Sequence, residues 1–306
     1  MNIAFYTHPA CMRHFPGDNH PESPARLTAV LAALDDPRFA LLERIDAPRA
    51  TREQLTRVHR GEYIDHLLAN EPYEGRVWLD PDTLVSSGSN DAALHAAGAV
   101  CAAVDGAFAG WKRRAFCAIR PPGHHARPSA AMGFCLFNNI AVGAAHAIAT
   151  QHLDRVAIID FDAHHGNGTQ EIFWCDPRVM YASTHQSTYP GSGAREEIGV
   201  GNMLNVPLSE DAKSVEFRDA YEDVILPALE DFAPQLVMIS AGFDAHHLDP
   251  LGGLALETED FSWITYRLLD IAQRYAHGRV VSSLEGGYNL NALRECVVAH
   301  VSALMG

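Results

Sequence analysis

The stretch Val156-Ala157-Ile158-Ile159-Asp160-Phe161-Asp162-Ala163-His164-His165-Gly166-Asn167-Gly168 decides how the rest of the chain is read. Its first half is apolar and rich in β-branched residues, the mark of a strand buried on both faces. Its second half holds two Asp, two His and glycines, which serve a turn and a site rather than a core. Side-chain alternation along an extended strand puts Asp160, Asp162 and His164 on one face, so Asp162 and His164 can hold one ion from the strand's carboxyl end. Open parallel sheets build their sites at that end.

On both sides of this stretch, strand and helix signals alternate. Strands are expected at residues 2–6, 115–119, 156–160, 179–183, 203–206, 236–240 and 280–283. A helix begins at Ser23-Pro24, with Ser as N-cap and Pro in the first turn, and runs to residue 36 or so. Thr51 and Gly61 open two short helices, residues 80–89 read as an irregular polar loop at the surface, and an Ala-rich helix covers 90–109. Further helices are expected at 138–151, 169–174, 214–232, 257–277 and 290–305. This order predicts an α/β fold: one domain over residues 1–306, with a mainly parallel central sheet and helices on both faces.

Composition narrows the function classes. A formal net charge of −15 disfavours nucleic-acid binding, which needs clustered Lys and Arg, and would attract a cationic substrate. No apolar run reaches membrane-spanning length, and the first residues lack a basic region followed by an apolar core, so no membrane partner is expected. Cys11, Cys101, Cys117, Cys135, Cys175 and Cys296 contain no CxxC pair and fit reduced thiols in a cytoplasmic protein.

Polar residues gather where the expected strands end. Arg120-Pro121-Pro122-Gly123-His124-His125 follows the 115–119 strand, Asp162 and His164 follow the central one, Gly242-Phe243-Asp244 follows 236–240, and Glu285-Gly286-Gly287-Tyr288 follows the last. Four strand ends then converge on one place. A His with two carboxylates suits a divalent ion and leaves a coordination position for water, the arrangement of a catalytic zinc. His14, His59, His66, His95, His146, His152, His277 and His300 are read as loop caps or hydrogen-bonded core histidines.

The motifs Arg120–His125, Gly133-Phe-Cys-Leu-Phe-Asn-Asn139, Asp160–Gln170, Ser240-Ala-Gly-Phe-Asp244 and Leu284-Glu-Gly-Gly-Tyr-Asn289 occur in order over nearly the whole chain. Together they resemble the zinc-dependent histone deacetylase family, in its class II and bacterial form, whose fold is the arginase/deacetylase fold. The resemblance implies one Zn2+ per chain on Asp162, His164 and Asp244, with Tyr288 donating to the substrate carbonyl. It implies that His124 and His125 handle protons, that Asp160 orients His124, and that Asn167 partners His125. A neutral Asn stabilises an imidazolium less than Asp would, so His124 is expected to be the more basic of the two. Gly133 and Phe134 match one wall of the family's acyl-lysine tunnel, and Tyr189 stands where the opposite wall is usually Phe. The family also holds a structural monovalent cation, usually K+; Asp160, Asp162, His164, Ser183 and Thr184 match its inner site, and Phe173, Asp176 and Val179 part of an outer one. Arg26 matches an Arg near the tunnel's inner end, which leaves a role in acetate exit or a place on the helix surface open.

Three other readings compete with this one. A dinuclear ureohydrolase of the same fold needs further bridging carboxylates, but the chain reads His165-Gly166 after His164 and Ala245-His246 after Asp244. A deacetylase for acetylated polyamines needs an acid near the tunnel mouth or a constricting loop; Leu251 holds the gatekeeper position, and Asn19-His20-Pro21-Glu22-Ser23-Pro24 lacks the Cys-Glu insertion. A binding module with a dead site would have lost a ligand or the Tyr, and none is lost. The expected activity is removal of acetyl or related acyl groups from lysine side chains, with acetylated polyamines as the alternative substrate. Zinc against iron(II) stays open on these ligands.

Overall fold

The computed structural model describes residues 3–110 and 113–306. Its strands are β1 (Ala4–Thr7), β2 (Glu43–Asp46), β3 (Arg76–Trp78), β4 (Leu84–Ser86), β5 (Arg114–Cys117), β6 (Val156–Asp160), β7 (Val179–Gln186), β8 (Met203–Leu208), β9 (Leu236–Ala241) and β10 (Val280–Leu284). Eight of them form one sheet in the order β2-β1-β5-β10-β9-β6-β7-β8, and every pair in it is parallel. The expected first strand lies at Ala4–Thr7 instead of 2–6, and Asn2 falls outside the described residues.

Every residue of β6, β9 and β10 is buried, as their continuous apolar character requires of strands covered on both faces. The Ala-rich helix Ser89–Phe108 packs on Asn139–Gln151 and lies across β1, β5 and β10, where its small side chains permit close approach. Thr258–Tyr275 and Leu290–Met305 pack on each other and on β9 and β5, and Pro24–Ala33 packs against Leu290–Met305.

The sequence expectation fails in three places for physical reasons. The polar run 80–89 is not a surface loop: β4 is buried and Thr83 and Ser89 are nearly or fully inaccessible. Its polar groups are satisfied internally, Asp80 Oδ1 accepting from the amides of Asp82 and Thr83, and Ser89 Oγ meeting the Ser86 amide and His14 Nδ1. Polar sequence there marks a hydrogen-bonded turn, not solvent. β2 has no apolar signature because it is an exposed edge strand, Glu-Arg-Ile-Asp, paired only with β1. The expected helix 214–232 is interrupted by one wide turn at Tyr221–Ile225, just before Pro227, which has no N–H to donate back up the helix. Thr51 caps the short helix Arg52–Thr56 in a reciprocal box with Gln54, whereas Ser23 holds the N-cap position of Pro24–Ala33 without a side-chain bond.

One buried ion pair locks the long loop after β1 onto the sheet. Arg120, at the end of β5, donates from Nε to Glu22 Oε1 (2.5 Å) and from Nη2 to Glu22 Oε2 (2.6 Å), and also reaches the carbonyls of Cys11 and His14. Both side chains are completely inaccessible to solvent. Burial raises the Glu22 pKa, but the charge of Arg120, with His14 and Arg26, wins and holds it at about 2. Because that value lies below the unfolded carboxylate's, the stabilisation is complete above about pH 4.3 and is lost as pH falls toward 2. Arg120→Met should cost at least about 3 kcal/mol in urea denaturation, since it strands a buried carboxylate, and should shrink this acid-limb dependence.

Candidate active site

β6 ends at Asp160, so alternation along the strand does not carry through to His164. A polar turn places the next residues instead. Asp160 Oδ1 accepts from the Asp162 amide (3.1 Å), and Asp162 Oδ1 accepts from the His164 amide (2.9 Å). Asp244 follows the neighbouring strand β9, and its Oδ1 accepts from the Ala163 amide (2.9 Å). The two strand-end loops are thereby stitched together.

His164 Nδ1 lies 3.2 Å from Asp162 Oδ1 and 3.0 Å from Asp244 Oδ2. One donor atom from each of Asp162, His164 and Asp244 falls within 4.8 Å of the others, and both carboxylates are buried. Burial and the charge of Asp162 push Asp244 up to about 7, while Asp162, though buried, is held below the usual carboxylate range by His124 and His164. Two carboxylates this close need a counter-charge. Glycines leave room for one: a Cβ at Gly242 would overlap the Asp162 carboxylate, and one at Gly286 would overlap those of Asp244 and Asp162. Imidazole with two carboxylates in an open-sided cradle fits zinc. His246, His247 and Glu257 form a second group of potential ligands. There, His246 Nδ1 accepts from the Leu248 amide (3.2 Å), which puts the proton on Nε2 and leaves that nitrogen unsuited to a metal.

The two histidines after β5 differ as expected. His124 is buried, and burial opposes its charge, but Asp160 and Asp162 outweigh this and push it up to about 10. Its Nδ1 donates to Asp160 Oδ2 (2.9 Å). His125 Nδ1 donates to Asn167 Oδ1 (2.8 Å), and burial together with His124 and His164 moves it well below its usual value. His125 lines the pocket, with its ring centroid 6.2 Å from that of His164.

The pocket above the trio has a volume of about 320 Å3. Gly133, Phe134, Tyr189, Leu251 and Tyr288 all line it. Gly133 and Phe134 both have positive φ, 57° and 67°, and a Cβ at Gly133 would strike the His125 ring. For Phe134 that backbone is strained, and the strain is held by its amide donating to Thr83 Oγ1 (3.0 Å). The Phe134 ring stands edge-on to Tyr288, and Tyr189 stands edge-on to His125 and His164.

Three residues with work at the site were given no role from sequence. Glu285 Oε2 accepts from the amides of Gly123 (2.6 Å) and His124 (3.2 Å), so it fixes the histidine loop; burial raises its pKa to about 7. Asp249 Oδ2 accepts from the Tyr288 amide (2.6 Å) and Oδ1 from Leu251 (3.0 Å), tying the tyrosine to the rim. Asp82 lines the pocket itself. Glu285 stood inside a quoted motif and Asp249 two residues before Leu251, whereas nothing local marked Asp82.

Arg26 is fully buried rather than on the helix surface. It donates from Nε to the Gly287 carbonyl (2.6 Å), reaches the Glu285 carbonyl, pairs with Glu22, and its guanidinium lies 4.9 Å from the Tyr288 ring centre. These contacts brace the tyrosine loop. Asp160, Ser183 and Thr184 of the inner cation set are buried where the last residue of β6, Asp160, pairs with Ser183 inside β7. The carbonyls of Phe173, Asp176 and Val179 instead converge on Asn202, whose Nδ2 lies 2.9, 2.9 and 2.8 Å away. The two N–H groups of that amide are shared among the three carbonyls.

Residues 20–304 match the model of the histone deacetylase domain. The chain is 37% identical over 311 residues to histone deacetylase 14, chloroplastic, of Arabidopsis thaliana, covering 94% of this chain and 74% of that one. It is 39% identical over 294 residues to a histone deacetylase-like amidohydrolase of Pseudomonas aeruginosa, covering 94% and 77%. Against type-2 histone deacetylase 2 of Dictyostelium discoideum it is 37% identical, with 99% of this chain matching 21% of that much longer protein. The crystal structure of the HDA15 HD domain superposes with a TM-score of 0.95 at 35% identity, covering 100% of this chain and 88% of that one.

Because Gly286 borders both carboxylates, Gly286→Ala should lower bound zinc per chain at least about tenfold, measured by elemental analysis after dialysis, with far-UV circular dichroism little changed.

Proposed function

Since the chain belongs to the histone deacetylase family, whose members depend on zinc, we propose that it hydrolyses the amide of an acylated lysine side chain. The observation that carries this reading is one pocket: His164, which forms a ligand group with Asp162 and Asp244, lines it together with His125, Tyr288, Phe134 and Tyr189. Two aromatic walls suit a linear methylene chain and exclude branched ones. We take residues 1–306 as a single catalytic domain.

Asp162, His164 through Nδ1 and Asp244 would hold one zinc ion. When bound, its contribution is Lewis acidity toward the carbonyl oxygen and toward a water. The protein supplies the rest. His125, with its Nδ1 proton given to Asn167, presents a bare Nε2 to the pocket; there it takes the proton of the attacking water and returns it to the amine nitrogen as the C–N bond breaks. His124, held by Asp160 through Nδ1 and with Nε2 3.9 Å from Asp162 Oδ2, keeps positive charge beside the zinc ligands. Tyr288, positioned by Asp249 and Arg26, donates its hydroxyl proton to the developing oxyanion. The products are a free amine and a carboxylate.

We further propose a structural K+ on the inner set, Asp160, Asp162, His164, Ser183 and Thr184, where it would steady the turn that carries two zinc ligands. Six free cysteines support a cytoplasmic setting, and among the described residues no helix is long and apolar enough to cross a membrane. An acetylated polyamine is a second reading, raised by the carboxylate of Asp82 in the lining of the pocket, though the hydroxyl of Tyr189 already donates to that carboxylate.

A fluorogenic acetyl-lysine peptide tests the proposal: Tyr288→Phe and His125→Ala should each lose at least about a hundredfold in kcat. Wild-type inactivity on such peptides, or full activity in either variant, would sink it. Because His125 works as a base only when neutral and its pKa is depressed, the acid limb of kcat/KM should lie below pH 6.5. Asn167→Asp restores a charged partner and should move that limb up by about one pH unit.

A further inference from the structure

Asp82 sits on the turn between β3 and β4, and its carboxylate touches both walls of the pocket. Oδ1 accepts from the Gly133 amide (3.2 Å) and from Thr83 Oγ1 (2.9 Å). Oδ2 accepts from the hydroxyl of Tyr189 (3.2 Å). Gly133 leads into Phe134 on one wall, and Tyr189 forms the other. A phenylalanine at 189 would keep the ring but give Oδ2 no partner from this wall.

The position of this carboxylate has a chemical meaning set by substrate length. In an acylated lysine, the side chain leads from the acylated nitrogen to Cα. In monoacetylated 1,4-diaminobutane, the free ammonium stands the same number of bonds from the acylated nitrogen as Cα does in lysine. With the acyl group at the trio, the mouth therefore receives either an uncharged Cα and its peptide or a cation. An unengaged carboxylate in the lining of the pocket, such as Asp82 without its tyrosine partner, would favour the cation.

We propose that the Tyr189 hydroxyl is a specificity-determining group: by donating to Asp82 Oδ2 it takes one acceptor site of that oxygen and holds the carboxylate against the wall, which weakens its pull on a substrate ammonium and biases the site toward acyl-lysine over acylated diamines. Tyr189 acts through Asp82, as a positioning residue. The inference rests on the acyl-amide reading of the pocket. It also reconciles an acidic mouth with an apolar gatekeeper, because Leu251 and a tyrosine-capped Asp82 both offer a cation little.

The test uses the zinc-loaded protein and two chelating probes of equal length, 6-aminohexanohydroxamic acid, which ends in an ammonium, and heptanohydroxamic acid, which ends in a methyl. In Tyr189→Phe, the affinity for the first relative to the second should rise about fivefold over wild type, by calorimetry, and the gain should shrink with added salt. Adding Asp82→Asn to Tyr189→Phe should abolish the gain. The kcat/KM ratio of N-acetylputrescine to an acetyl-lysine peptide should move in step, through KM. An unchanged probe ratio in Tyr189→Phe, or a gain that survives Asp82→Asn, overturns the proposal. If wild type turns over neither amide while the probe ratio still shifts, the deacylase reading falls and the role of Tyr189 stands; if neither probe binds, both fall.

Discussion

Asp162 and Asp244 are buried side by side at the carboxyl ends of adjacent strands, and a pair of like charges out of water is among the most costly arrangements a fold can hold. The structure offsets that cost with directed donors. Backbone amides of His164, Ala163 and Gly286 point at the two carboxylates, and His164 Nδ1 lies between them. This convergence depends on the parallel register of β6 against β9, which sets Asp160 opposite Ser240, and on glycines at 242 and 286 that leave the carboxylates room. The sheet order is therefore part of the site's chemistry.

Around this charged pair lies a shell of buried acids that hold backbone amides or guanidinium groups. Glu285 holds the His124 loop, Asp249 holds the Tyr288 loop, and Glu22 fastens Arg120 and Arg26 beneath it. Each carboxylate joins segments distant in sequence, so the reacting groups are placed by hydrogen bonds that tolerate little drift. His124 and His125 show what such placement achieves. Neighbouring imidazoles, 4.0 Å apart at their centres, are shifted in opposite directions: burial opposes the charge on both, but Asp160 and Asp162 raise His124, whereas the charges of His124 and His164 add to burial and lower His125.

Much of this was legible in sequence because strand ends are. A buried strand announces itself by an apolar run, and the polar residues just beyond it fall at one edge of a parallel sheet; Asp162, His164, Asp244 and Tyr288 follow from that rule. The turn geometry after Asp160 was not legible, since strand alternation and a hydrogen-bonded turn both bring Asp162 and His164 to the same place. Asp82 escaped notice because its run of polar residues is the same whether a hairpin folds back over the pocket or extends into water; only the amides satisfied by Asp80 decide it. β2 was missed because a charged edge strand carries no hydrophobic signal. Arg26 could be located but not interpreted, as its burial comes from a loop more than two hundred residues away in sequence.

The three carbonyls that meet on Asn202 have a bearing on how this fold tolerates its surroundings. A mobile ion at such a corner binds by mass action, and its grip loosens when the solution is depleted. An amide carried on the chain is always present at unit stoichiometry, its ordering cost met once, on folding. The corner joining Phe173, Asp176 and Val179 to β8 therefore keeps a donor that desalting cannot strip.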